Sequence, residues 1–219
     1  RHSSAMRIAL RLLSLLVLAL LCLQLYFAAR IVLMRWIDPE STSFQRIEAQ
    51  RLVQSTGKLL WRQEWVAYER IAESLKRAVI ASEDASFTEH DGVDFEALEK
   101  AWEKNQKAEQ EAARRADLRR ASSARQDGAA KPPPPAPKIV GGSTITQQLA
   151  KNLFLSGERT LPRKAQELAL TFMLEAFLSK QRILEIYLNS VEWGEGVFGA
   201  EAAAQHYYRK SAARLSPYE

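Results

Sequence analysis

Cysteine is nearly absent. Cys22 is the only one in 219 residues, which excludes an internal disulfide framework and a zinc site built on several thiolates. Histidine is scarce as well: His2, His90 and His206 lie far apart with no HExxH pair, which speaks against a zinc-dependent protease. Nine glycines and eight prolines are too few for a collagen-like or wholly disordered chain. No GxxxxGK[ST] loop occurs, and no strand pattern leads into Gly194, Gly196 and Gly199, so neither a P-loop nor a dinucleotide fold is indicated. The length allows one domain of ordinary size with a tail. The net charge of +5 is local, because residues 104–131 hold eight basic and only four acidic side chains. A basic body for nucleic acid is therefore not indicated.

What is present begins with an apolar run. Leu12 to Ala29 carries no charge, with Ser14 and Gln24 as its strongly polar members, and is flanked by Arg7 and Arg11 before it and Arg30 and Arg35 after it. Roughly 20 apolar residues cross a bilayer core, and arginine and aromatic residues suit its edges. A cleaved signal peptide is the alternative, but its apolar core is usually shorter, at about 7–15 residues, and Phe27-Ala28-Ala29-Arg30 makes a poor cleavage site. The reading is an uncleaved anchor within residues 1–40, with the slight basic excess before the span placing the N-terminus inside. Met6 is a natural start, leaving Arg1 to Ala5 as an upstream remnant or extension.

After the anchor, Ile37 to Trp65 carries few clear patterns. Val66 to Asp84 reads as helix from Ile71, Leu75, Ala78, Val79 and Ser82, and Asp94 to about Asn105 reads as another. From 106 to 138 the apolar face vanishes and a proline run follows, which predicts a solvated helix fraying into an extended linker. Thr144 with Gln147 forms a capping box, Pro162 suits a first helical turn, and Ser179 suits an N-cap. Ala200 to Tyr208 completes the helices, Asn189 reads as a helix-ending cap, and Gly194 to Gly199 reads as a flexible turn. No hairpin pattern stands out, so the domain is read as mostly α.

Three stretches can carry chemistry. Glu83-Asp84-x-x-Phe87-x-x-His90-x-Gly92-x-Asp94 gathers acids and a histidine where a helix gives way to a turn. It is either a polar helix end or a site in which Glu83, partly desolvated behind Ile80-Ala81-Ser82, acts as a general base. Gly141 to Asn152 opens with two glycines and places Thr144, Gln148 and Lys151 on one helix face, with Ile145, Leu149 and Leu153 beside it. A capped core helix explains the apolar stripe. An anion site explains the glycines, the free N–H groups and the lysine as well. Arg163 and Glu167 are i, i+4 neighbours whose line continues into apolar residues. This predicts a half-buried carboxylate held by arginine rather than a plain surface pair. Glu175 is read as structural, and Lys180 to Asn189 mainly as a packing helix.

Together these residues resemble the peptidoglycan glycosyltransferases, the family 51 domain also found in bifunctional penicillin-binding proteins. The three stretches are similar to the family's first three motifs. Lys180–Asn189 resembles the fourth, and Gly196 to Lys210 the fifth, all in family order. One anchor and no penicillin-binding Ser-x-x-Lys domain resemble the monofunctional branch. The resemblance implies a lysozyme-like, mostly helical domain over 41–219, on the periplasmic side of the bacterial inner membrane. It implies lipid II and the growing glycan strand as partners, with membrane lipid, other cell wall synthesis proteins, and no nucleic acid. Glu83 matches the general base and Glu167 the second essential glutamate. Lys151 and Arg163 match pyrophosphate contacts, and Asp84, Phe87, His90, Gly92, Thr144, Gln148 and Asn152 match other cleft positions. No resident metal site is implied, although a divalent cation such as magnesium or manganese could help to neutralise pyrophosphate. The family continues into further helices where this chain reads Pro217-Tyr218-Glu219, which implies a domain cut short.

Two rivals share parts of this pattern. A lytic peptidoglycan enzyme would use glutamates in a similar fold but needs no cationic clamp for a pyrophosphate. A non-enzymatic membrane scaffold would leave Glu83, Lys151 and Glu167 without a task. The 106–138 insertion departs from the family pattern, and its basic character suits contact with anionic lipid. Deleting it should weaken binding to anionic vesicles, and unchanged binding would rule that role out.

Overall fold

In the computed structural model the described residues are 2–123, 141–158 and 160–219. Among them helices dominate. Helix α1 (His2–Leu33) contains the apolar run, and Met6–Leu33 is long and apolar enough to cross a membrane. Its last turn is not a loose tether. Ile31 and Met34 are buried in the domain core, Arg35 Nε donates to the Phe177 carbonyl at 2.6 Å, and Arg182 Nε donates to the Met34 carbonyl at 2.7 Å.

Helix α2 (Ser43–Thr56) lies where few patterns were visible. A capping box opens it, with Thr42 and Gln45 exchanging side-chain and backbone bonds at 3.1 and 2.8 Å, and Gly57 at φ 70° closes it. The helix expected from Val66 starts later: a 3-10 turn occupies Tyr68–Arg70 and α3 runs from Glu73 to Glu83. The cause is tertiary. Buried Asn189 accepts from the Val66 N–H at 2.8 Å and donates to its carbonyl at 2.9 Å, while Glu185 accepts from the Tyr68 N–H at 3.0 Å. Backbone groups that would open a helix are thus already taken. Asn189 is accordingly not a helix-ending cap but an internal residue of α7 (Lys180–Ser190) that clasps an incoming loop.

Helix α4 (Phe95–Ser123) starts on the Asp94 carboxylate, which accepts from the Ala97 N–H at 2.7 Å, and runs well past Asn105. The proline run expected to form an extended linker lies outside the described residues. Helices α5 (Ile145–Phe154) and α6 (Leu161–Phe177) begin as expected, on the Thr144–Gln147 capping box and on Thr160 with Pro162 in the first turn. Ser179 caps α7. The predicted stripe of Ile145, Leu149 and Leu153 is fully buried and packs with Leu170 and Leu174 of α6 and Ile183 and Ile186 of α7. Helix α5 is the centre of the domain.

The glycines expected to form a flexible turn build structure instead. Strands β1 (Arg62–Gln63), β2 (Glu192–Gly194) and β3 (Val197–Phe198) form a small sheet in the order β1-β3-β2, with β1 parallel and β2 antiparallel to β3. Gly196 turns the hairpin at φ 71°, where a Cβ would sit 2.5 Å from the Leu60 carbonyl oxygen. Strands this short carry too little alternation to be read from sequence.

Helix α8 (Ala200–Tyr208) buries small residues and is fastened to the following turn by Glu201. Its carboxylate accepts from the Ala212 N–H at 2.8 Å and from Ser211 and Gln205 at 3.0 Å. Burial alone would raise its pKa, but these donors outweigh burial and hold it below the ordinary 4.5. A depressed folded pKa adds stability above the unfolded value, and that stability is lost as pH falls through the folded one. Glu201→Gln should therefore cost about 1–3 kcal/mol at neutral pH and flatten the loss of stability below pH 4.5 in denaturant melts.

Candidate active site

The first predicted stretch leaves the end of α3 and turns against the N-terminus of α5. Asp84 is the hinge of this junction. It is buried, its Oδ1 lies 2.8 Å from His90 Nε2, and its Oδ2 accepts from the Ile145 N–H at 3.0 Å. A carboxylate at the first free N–H groups of a helix is favoured by their partial positive charge. Thr144 adds a second tie, since its Oγ1 donates to the Gly92 carbonyl at 2.6 Å. Gly92 sits at φ 89°, and a Cβ there would approach Thr171 Cγ2 to 2.7 Å. The loop below is fixed by Lys180, which donates to the His90 carbonyl at 2.5 Å and to Glu175 at 2.9 Å, with its ammonium 4.7 Å above the Phe87 ring. Glu175 also accepts from Thr146 at 2.6 Å, which makes it the structural acid expected.

Glu83 is exposed rather than partly desolvated, because α3 ends at this residue. It accepts from Gln148 Nε2 at 2.9 Å, and Tyr187 Oη in turn donates to Gln148 Oε1 at 3.0 Å. Burial, with the Glu83 carboxylate as a second cause, raises the Tyr187 pKa, so the phenol stays protonated and the chain of donors runs one way. Glu83 forms part of the wall of two grooves. One, of about 610 Å³, lies between the end of α3, α4 and the Gly141-Gly142 segment and is also lined by Ser86, Lys100 and Lys104. The other, of about 390 Å³, is lined by Leu75, Ala78, Val79, Tyr187 and Trp193.

A second cluster lies at the start of α6. Glu167 is buried and bound by two cations: Arg163 Nη1 at 2.9 Å and the Lys164 ammonium. Arg163 Nε is buried with no partner among the described residues, which leaves a guanidinium donor to spare. Helix α5 links the two clusters. Its Gln148 faces Glu83, exposed Lys151 lies one turn further along on the same face, and half-buried Asn152 follows.

The predicted residues thus divide by exposure. Glu83, His90, Gln148, Lys151, Asn152 and Arg163 retain open surface, whereas Asp84, Gly92, Thr144 and Glu167 are buried and hold the frame. Phe87 departs from its predicted place in the cleft. It is 1 % exposed and fills the core beneath the loop, because the turn after Asp84 carries its ring inward. Sequence reasoning missed Tyr187, Lys100, Lys104 and Trp193 as groove residues. By periodicity Tyr187 groups with Ile183, Leu184 and Leu188 on the packing side of its helix.

Asp84, His90 and Asp94 form a group of potential metal ligands, with their donor atoms within 4.8 Å of one another. All three already have protein partners. Asp94 accepts from Ser86 and from the Ala97 N–H, which hold its carboxyl below the usual range, with the backbone N–H the larger cause. A cation would have to displace the bond between His90 and Asp84, so these donors fit a hydrogen-bond network rather than a resident ion.

Comparison with known proteins finds a family match. Residues 50–114 and 136–219 match the family model described as Transglycosylase, and the gap between them falls inside the 106–138 segment. The chain is 48 % identical over 209 residues to a biosynthetic peptidoglycan transglycosylase of Bordetella pertussis, covering 94 % of this chain and 77 % of that protein. It is 52 % identical over 203 residues to the Bordetella avium protein of the same name, covering 91 % and 75 %. A third, from Janthinobacterium sp. (strain Marseille), is 49 % identical over 201 residues, covering 91 % and 74 %.

Gly92→Ala tests the junction directly. Positive φ and the contact with Thr171 together should destabilise the domain by about 2 kcal/mol or more, read as a lower urea midpoint in detergent micelles.

Proposed function

The chain belongs to the transglycosylase family, and from that premise we propose that it is a peptidoglycan glycosyltransferase polymerising lipid II into linear glycan strands. The observation that carries this reading is the position of Glu83, an exposed carboxylate shared by two grooves. A reaction joining two large substrates needs a base where both can reach it.

The chemistry follows from the groups present. The acceptor's sugar 4-hydroxyl is a poor nucleophile and gives its proton to Glu83 as its oxygen attacks the donor's anomeric carbon. The bond from that carbon to the pyrophosphate oxygen breaks on the opposite face, the electron pair leaves with the undecaprenyl pyrophosphate, and the configuration inverts. Gln148, held by Tyr187, aims an N–H at Glu83 and fixes its direction. Lys151 and Arg163 stabilise the charge that grows on the leaving group. Glu167 holds Arg163 in place and stands beside the donor's pyrophosphate and sugar.

Helix α1 is the single-pass anchor, and the catalytic domain faces the periplasm from the bacterial inner membrane, where a polyprenyl substrate resides. A lytic enzyme would have to protonate a glycosidic oxygen from Glu83, and an amide donor aimed at that carboxylate suits a proton acceptor instead.

The test is polymerisation of purified lipid II, with products separated by length. The full chain should yield long, uncleaved strands. Glu83→Gln should lose activity by about 100-fold or more with its unfolding curve unchanged. Full polymerisation by that variant would remove Glu83 from the mechanism.

A further inference from the structure

A groove of about 460 Å³ lies where the first two turns of α2 face the end of α5 and the start of α6. Ser43 Oγ of α2 donates to the Leu153 carbonyl of α5 at 3.0 Å, which fixes one wall against the other. Arg46 enters the lining from α2 and Arg163 from α6, and no carboxylate lines the groove among the described residues. Ile47, Phe154 and Leu155 supply its apolar part.

The charge here is unbalanced. The Arg46 guanidinium is held by neutral groups: Nη1 donates to the Ser41 carbonyl and hydroxyl at 3.1 and 3.0 Å, and Nη2 donates to Ser43 Oγ at 3.0 Å. Nearby Asp38 is committed to Arg182 at 2.6 Å. Glu40 shares a separate groove with Arg46 but forms no ion pair with it among the described residues. Glu167 is one carboxylate between two cations, Arg163 and Lys164, so that cluster keeps a net positive charge. Arg30, in the last turn of α1, places a third guanidinium 5.3 Å from the Phe154 ring centre. Cations gathered on one cleft without acids focus a positive field on whatever enters it. A guanidinium that is oriented but not neutralised suits recognition of an anion.

The groove also continues the line of the site. On α5, Gln148 meets Glu83, Lys151 follows at i+3, and Leu155 closes the helix at i+7. Leu155 therefore returns to within about 20° of Gln148 and stands about 10 Å further along the axis. A ligand laid on this face passes from a carboxylate to a lysine, then to two arginines, and ends against apolar side chains. A sugar joined through two phosphates to a hydrocarbon chain presents its parts in that same order.

We propose that this groove binds the junction of phosphate and hydrocarbon in a long-chain pyrophosphate ester. Arg46 contacts the phosphate next to the chain, and Ile47, Phe154 and Leu155 contact the first carbons of the chain. The proposal draws on the glycosyltransferase reading, in which such an ester leaves the sugar, and adds Arg46 to the residues that hold it. A membrane phospholipid offers the same pairing of phosphate and hydrocarbon but has one phosphate, which answers Arg46 or Lys151 and not both.

The experiment titrates the full chain in detergent micelles with undecaprenyl pyrophosphate, inorganic pyrophosphate or phosphatidylglycerol, read by calorimetry, with lipid II polymerisation assayed alongside. Arg46→Gln should weaken undecaprenyl pyrophosphate binding by about tenfold. Arg77→Gln, the same charge change on an exposed part of α3, should leave it unchanged. Ile47→Asn should weaken the ester by about fivefold and leave inorganic pyrophosphate unaffected. This second variant breaks none of the Arg46 bonds, so it keeps the test valid if Arg46→Gln loosens α2. Equal affinity of the parent and both groove variants, or an equal loss in Arg77→Gln, would overturn the proposal. So would phosphatidylglycerol displacing the ester at equal concentration, because the groove would then be a general headgroup site. Failure of the catalytic reading looks different: tight binding that depends on Arg46, with no strand formed from lipid II, would keep the groove as assigned and remove that reading alone.

Discussion

One buried carboxylate organises this molecule. Asp84 accepts from the first free N–H of α5 and pairs with His90, and in doing so it joins two stretches that lie 61 residues apart. Everything polar in the site is placed relative to that junction. Glu83 precedes it and meets Gln148 one turn into α5. Gly92 follows it and is held by Thr144. Removing the partner of a buried charge is expensive, so the loop and the helix are expected to keep their relation or lose it together. The same junction explains why the chain tolerates so much sequence between α4 and Gly141. Loop-closure entropy grows slowly with length, and the bonds that join Gly92 to Thr144 and Asp84 to Ile145 are made by residues outside the insertion.

Helix α5 converts this local fixation into a site. Its apolar stripe is buried between α6 and α7, and its polar side carries the donor that aims Glu83 and the lysine that follows one turn on. Helix α6 then brings a carboxylate clamped by two cations, and it is bound along its side to the apolar helix α1. Glu83, the cationic cluster around Glu167 and the apolar N-terminal helix thus belong to one continuous packing unit. On the proposed function, such rigidity would keep the reacting atoms of a lipid-linked sugar in line while its tail stays in the bilayer.

Legibility in the sequence followed the range of the forces involved. The caps at Thr144, Thr160 and Ser179 depend on neighbours three residues away and were read or are readable directly. The equally local box at Thr42 is hard to recognise because α2 buries only Gln45 and Leu52 and so presents almost no apolar period. The start of α3 could not be read, because Asn189, over a hundred residues distant, takes the backbone groups of Val66. The hairpin at Gly196 is fixed by the closeness of Leu60, again a tertiary fact. In the site, acids and cations were legible by type and spacing. Which of them frame the cleft and which line it was not: Phe87 turned inward, and Tyr187, read as packing, directs Gln148.

The most direct measurement is a structure of the full chain in a lipid nanodisc with a non-reactive lipid-linked pyrophosphoryl sugar bound beside an acceptor sugar. The pyrophosphate oxygens should lie on Lys151 and Arg163, with the acceptor hydroxyl about 3 Å from Glu83. A pyrophosphate seated away from both cations, or an acceptor hydroxyl out of reach of Glu83, would contradict the account.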